Sequence, residues 1–361
     1  MRSLAVASFL LLTPQSPLLA DEVADKIKDG VRLHDAQDYD GAMAIYRSIL
    51  KDHPHHPSAV YELAYSMRAA GVDKSEVLAF LENETDSGTP QHFSIYILLG
   101  SAYDDAGELE KGERAFRRGL EVAQDSPDLH YNLAVNLSYQ KRWPEAMTAY
   151  VSALSARPEH ASSWFGLANA CDESGRSPRA FVAYARAASM EPASARGRDG
   201  AARLWPLLFA YVEKEKDAKP GKPANVTISI PSSPETEQPQ SKKKRKKKKD
   251  DASDPVAMEA LGTSIVAANR WVEEWETKSD AAFFAHALDS VTAIASELEV
   301  KDDAFWAVVL PYFDDARAKN LLEPMAYVLR DAAGDADAKR WLEENRKRAD
   351  SFEEWARSRK K

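Results

Sequence analysis

One cysteine, Cys171, stands in 361 residues. That scarcity excludes an internal disulfide framework and any zinc site built from several cysteines. Glycine is modest at 15 residues and β-branched runs are rare, so helix is favoured almost throughout. No phosphate-cradling glycine loop, nucleophile elbow or zinc-protease helix occurs in the sequence. No catalytic residue, cofactor or small-molecule substrate is therefore expected. His53, His55 and His56 cluster around Pro54, but their close carboxylate, Asp52, is a chain neighbour and not at ligand spacing. A polar turn is expected there, not a metal site. Asn-x-Ser/Thr triplets at Asn83, Asn136 and Asn225 read as chance, since Asn136 falls inside a helical pattern.

Long apolar runs are also missing. Leu4 to Leu12 is mostly apolar but too short to span a bilayer as a permanent helix. Arg2 precedes it, Pro14-Gln15-Ser16-Pro17 follows, and Leu18-Leu19-Ala20 leads into Asp21-Glu22. This order is that of a secretory signal peptide cleaved after Ala20. Residues 1–20 are accordingly expected to be removed on export, to a periplasmic or extracellular destination. The alternative is a frayed apolar tail on a cytoplasmic protein.

The charge is unevenly spread. The net value is −9, yet Lys242, Lys243, Lys244, Arg245, Lys246, Lys247, Lys248 and Lys249 form one uninterrupted basic run. Without those eight residues the rest of the chain stands at −17. Acidic folded parts argue against a general nucleic-acid binder.

What the sequence does have is a period. Leu99, Leu133 and Leu167 recur at 34 residues, as do Phe116, Tyr150 and Tyr184. Gly100, Ala134 and Ala168 keep the same register, and so do Gly112, Ala146 and Ala180. Pro158 and Pro192 close successive units. The unit Ala161–Ser194, with Trp164, Leu167, Ala168, Cys171, Ala180, Tyr184, Ala187 and Pro192, resembles the tetratricopeptide repeat (TPR) family. The preceding units carry the same pattern through Leu133, Ala134, Tyr150 and Pro158, and through Leu99, Gly100, Tyr103 and Phe116. Weaker units use Gly30, Leu33, Ala42, Tyr46 and Pro54, then Val60, Leu63, Ala64, Met67, Val77 and Phe80. The resemblance implies an all-α fold, a TPR α-solenoid of about five helix-turn-helix repeats over residues 23–194. Small residues would let paired helices cross closely and large ones would fill the gap between units. Ala201 to Lys214 reads as an amphipathic helix covering the last repeat, which bounds the solenoid at 21–214.

The resemblance also implies a function: a non-catalytic scaffold or adaptor that holds a protein or peptide partner on its concave face. Helical phase puts Tyr61, Tyr65, Asp104, Tyr131, Asn132, Tyr139, Phe165, Asn169 and Asp172 on that face, with Ile97, Ser101 and Val135. Aromatics offer contact area at low entropy cost, and asparagines can bond a peptide backbone. The alternative for each aromatic is packing between repeats. TPR co-chaperones grip a terminal carboxylate with basic residues on this face. Here Ile27 and Val31 occupy the equivalent places of the first repeat and no lysine pair accompanies Asn132, which argues against that clamp.

Residues 215–254 change character. Pro220, Gly221, Pro223, Pro231, Pro234 and Pro239 interrupt a polar stretch that cannot bury a core, so a disordered linker is expected. Val226 to Ile230 could form a strand, but no partner strand is visible in the sequence. The basic run at 242–249 fits an anionic-membrane anchor, a nuclear address or a contact with an acidic polymer. A solvated spacer fits it too, and a nuclear address conflicts with a cleaved signal peptide. From Pro255 to Lys361 helical spacing returns without a clean 34-residue register. This smaller α-helical domain is expected to use Trp271, Trp275, Phe305, Trp306, Trp341 and Trp355 for packing.

Overall fold

The computed structural model describes residues 17–87, 92–210, 212–214, 226–228, 255–268, 270, 278–297 and 303–359. The chain forms two compact units, Met1–Gln124 and Asp125–Lys361.

The first unit consists of three helix pairs: α1 (Pro17–Asp35) with α2 (Tyr39–Asp52), α3 (Pro57–Ala69) with α4 (Lys74–Asp86), and α5 (Phe93–Asp105) with α6 (Leu109–Val122). The second opens with two more pairs, α7 (Pro127–Tyr139) with α8 (Trp143–Ala156) and α9 (Ala161–Glu173) with α10 (Ser177–Met190). Short polar side chains start many of these helices by taking up orphan backbone N–H groups: Asp38 accepts from Gly41, Asp73 from Ser75 and Ser126 from Leu129. Pro57 and Pro127 sit in first turns, where a missing N–H costs nothing.

The turn within each pair needs one residue in the left-handed region. Gln37, Gly71, Gly107, Lys141 and Gly175 supply it with φ between 57° and 79°. Their spacings of 34, 36, 34 and 34 residues repeat the sequence period in the backbone itself. Three are glycine, which adopts this conformation without a Cβ penalty, and two are not. Between the paired helices small residues meet rings. A Cβ on Gly100 would lie 2.4 Å from the Phe116 ring, and one on Gly30 2.5 Å from that of Tyr46.

Beyond α10 runs α11 (Ala195–Leu208), which starts and ends six residues before the helix Ala201 to Lys214 that periodicity predicts. Val212–Lys214 is instead strand β1, antiparallel to β2 (Val226–Ile228), with Val212 opposite Ile228 and Lys214 opposite Val226. The partner strand thus lies in a segment that apolar spacing assigns to helix. Helices α12 (Pro255–Ala268), α13 (Asp280–Glu297), α14 (Ala304–Ala318), α15 (Leu322–Ala332), α16 (Ala336–Glu344) and α17 (Arg346–Ser358) follow. Asp303 and Ser279 cap α14 and α13, and Gly334 ends α15 with φ of 90°. Helical spacing runs from Ala336 to Trp355, but the helix breaks at Asn345.

Of these helices, α12, α13, α14, α15 and α17 pack against α10. All fourteen residues of α10 are buried. Phe181 meets Phe284 edge-on at 5.8 Å. Arg179, 5% exposed, is held bidentately by Glu259 at 2.9 and 2.7 Å and bonds Asp303 at 2.8 Å; Trp306 Nε1 donates to Glu259 at 2.7 Å. Burial opposes the charged guanidinium, yet the two carboxylates hold its proton affinity above arginine's ordinary value. Phe305, Trp306 and Trp355 are buried, and Trp341 stacks on Tyr327 at 4.1 Å. Trp271 and Trp275 lie outside the described residues.

Candidate functional site

In the first unit α3 carries Tyr61 and Tyr65 one turn apart, rings stacked at 6.1 Å. The imidazole of His34, from α1, stacks on Tyr65 at 4.8 Å, and Tyr39 meets its edge at 5.1 Å. His34 Nδ1 lies 2.8 Å from Ser66 Oγ, which fixes the imidazole in place. The result is a ladder of four rings in the order Tyr39, His34, Tyr65, Tyr61, of which Tyr65 is the most exposed at 45%. Each such ring pair is worth about 0.5–1.5 kcal/mol beyond its buried area, so the ladder is pre-organised. A cleft of about 720 Å³ adjoins Tyr65 and is bordered by Arg68, Val72, Lys74 and Asp105. Arg68 pairs with Asp105 at 2.7 Å and Lys74 donates to the Asp105 carbonyl. Asp104 is half-buried on α5. Burial raises the pKa of Glu62, beside the ladder. His34 and Tyr39 escape the sequence reading because neither falls at a groove position of the repeat; only the fold brings them to Tyr65.

In the second unit Tyr131 of α7 packs edge-on against His160 at 4.9 Å. Burial first, and then the charge of Arg157, lower the pKa of His160. Asn132 Nδ2 donates to the Asp128 carbonyl at 2.7 Å, one turn earlier on its own helix. Tyr139 stands 66% exposed at the end of α7. Phe165 differs from the expectation: it is 6% exposed, under α11, where Gly200 backs its ring and Arg196 lies 4.6 Å above it. Asn169 accepts a bond from the Tyr184 hydroxyl, and Asp172 pairs with Arg203 at 3.4 Å. Helix α11 therefore occupies part of the inner face of the last repeat.

Elsewhere, Cys171 is fully buried, its thiol 3.4 Å from Met147 Sδ, and burial pushes its pKa up to about 12. His55 Nδ1 bonds the buried carboxylate of Glu84 at 2.7 Å, while His56 caps α3. Among the described residues no group of three or more His, Cys, Asp and Glu could hold a metal ion, and no helix is long and apolar enough to cross a membrane. The basic run at 242–249 lies outside the described residues.

Two family models, both described as tetratricopeptide repeat, match the chain over residues 93–126 and 131–196. Those segments hold the pairs α5/α6, α7/α8 and α9/α10. Residues 93–126 and 131–196 are tetratricopeptide repeats, and this fold is consistent with a protein-interaction scaffold. Solved structures that it resembles include MamA AMB-1, with 16% identity over 49% of this chain and 95% of that one, TM-score 0.39. A MamA fragment from Desulfovibrio magneticus RS-1 shows 12% identity over 42% and 85%, TM-score 0.36. YrrB, described as a TPR protein with an unusual peptide-binding site, shows 12% identity over 50% and 84%, TM-score 0.36. No curated protein sequence matches the chain.

Proposed function

We propose that this protein is a non-catalytic adaptor that captures a protein or peptide segment on the first helices of its repeats. One observation carries the reading. Three large hydrophobic side chains are described as exposed, and two of them, Tyr65 and Tyr139, lie at groove positions of first helices. An exposed tyrosine with two stiff χ angles is a low-entropy contact, and rigid aromatic anchors are the residues on which interfaces concentrate their energy. The salt-bridged rim of the cleft beside Tyr65 suits a polar ligand backbone. The test is affinity capture from the native host with the full chain as bait, compared with Tyr65→Ala and Tyr139→Ala. Loss of one saturable partner with unchanged circular dichroism is the expected result; equal capture by the variants sinks the groove. A bait cut at residue 214 would strip α10 of its cover and expose apolar surface, so the full chain is required.

Export and tethering belong to the same proposal. The order of regions in residues 1–20 supports a signal peptide with cleavage after Ala20. Intact mass of the host-produced protein decides this: a chain starting at Asp21 supports export, and one starting at Met1 rejects it. The eight basic residues at 242–249 would add an anionic surface as a second partner, each worth about 1 kcal/mol at low salt. Replacing them with glutamine should then abolish binding to vesicles containing anionic lipid and leave partner capture intact.

A further inference from the structure

Two arginines of α10 are buried to the same degree but treated differently. Arg179 has the carboxylates of Glu259 and Asp303. Arg186, 4% exposed, has no acidic side chain in ion-pair contact among the described residues. Its guanidinium lies 3.8 Å from the centre of the Tyr312 ring and 5.8 Å from that of Trp164. Its Nε is buried with no hydrogen-bond partner. Ring faces offset only part of the desolvation of a cation, and burial depresses the proton affinity of this group. Stacking covers the flat face of a guanidinium and leaves donors in its plane for a bidentate acceptor.

Arg186 lines a cavity of about 700 Å³, within the range of small-molecule sites (about 300–1,000 Å³). The wall is mostly hydrocarbon and ring: Leu154, Pro158, Trp164, Val308, Pro311 and Tyr312. The Tyr312 hydroxyl is held 3.0 Å from Ser189 Oγ and Trp164 Nε1 donates to the Pro158 carbonyl, so both rings are fixed. Charged groups at the cavity are Arg186, Arg359 and Glu159. Glu159 is exposed, and Arg359 is engaged by Asp315. The unmet need is one negative charge at the buried end.

We infer that this cavity binds an apolar monoanion, a carboxylate on a hydrophobic body, with the carboxylate on Arg186. A doubly charged, strongly hydrated anion such as phosphate is disfavoured, because one guanidinium and an apolar wall cannot replace its water. The site includes none of the groove tyrosines and is independent of the adaptor reading.

Calorimetric titration of the full chain with octanoate tests the assignment, with octanol and inorganic phosphate as the uncharged and body-free probes. Saturable one-site octanoate binding is expected, at least tenfold tighter than octanol, with no heat from phosphate. Arg186→Met keeps the length and apolar stem of the side chain but removes its charge. It should weaken octanoate at least tenfold and leave octanol unchanged. Val308→Trp, which fills the cavity and keeps Arg186, should weaken both ligands and serves if the first variant does not fold. Absence of saturable octanoate binding to the natural chain overturns the inference, as does octanoate binding to Arg186→Met at the natural affinity.

Discussion

Helices α6 and α10 are second helices of the same kind of repeat, yet they live in different surroundings. Gly112 and Phe116 of α6 stand two periods before Ala180 and Tyr184 of α10, and all four are buried. Their inner faces do the same work. The outer faces diverge: α6 shows Arg114, Arg117, Arg118 and Glu121 to solvent, whereas α10 buries Phe181, Val182 and Arg186 as well. A helix that is apolar nearly all round must be covered on every side, and here α11 to α15 and α17 supply the cover. The repeat motif therefore dictates the contacts within a pair but leaves the far side of the second helix open. Charge on that side gives a solvated solenoid surface; apolar residues recruit further helices.

The comparison can be broken most severely by giving α10 the residue that α6 carries two periods earlier. Phe181→Glu places an unpaired carboxylate at a fully buried position and also removes the ring facing Phe284. The expected loss is more than about 4 kcal/mol, seen as an early urea transition in which the C-terminal helices detach. Next is the ion network. Arg179→Ala leaves Glu259 buried without its cation and should cost about 3–5 kcal/mol, whereas Arg117→Ala on α6, 52% exposed beside Glu113, should cost under about 1 kcal/mol. Comparable urea midpoints for the two variants would mean that the network adds nothing to the enclosure of α10. The smallest effect concerns what the repeats share. Lys141→Gly relieves a left-handed lysine in a turn where Gly107 and Gly175 stand one period away on either side. A gain of about 0.5–1 kcal/mol in thermal unfolding is expected, and a loss would show that the lysine side chain makes a contact worth more than its strain.

The legible part of the protein was the local part. A repeat whose helices contact only their neighbours writes its period directly into the chain, so Leu99, Leu133 and Leu167 could be aligned without coordinates. Helix caps are local in the same way: the sequence offers Ser279 or Asp280 and Asp302 or Asp303, and the structure uses Ser279 and Asp303, because capping bonds span two or three residues. The candidate site was legible only in outline. Tyr65 and Tyr139 stand exposed, but Phe165 is covered by a helix that starts thirty residues later. Strand β1 was read as helix, since three residues carry too little periodicity to outweigh the apolar spacing before them.

Alone, the sequence determined the repeat, its period and the apolar inner stripe, because these rest on interactions between residues less than one repeat apart. The tertiary structure decided what those properties cannot reach. Arg179 meets Glu259 and Asp303 across 80 and 124 residues, and Arg186, seven positions on, lies against the rings of Tyr312 and Trp164. Pairings at such separations leave no periodic trace, since each depends on how distant helices pack and not on the spacing of residues along one of them.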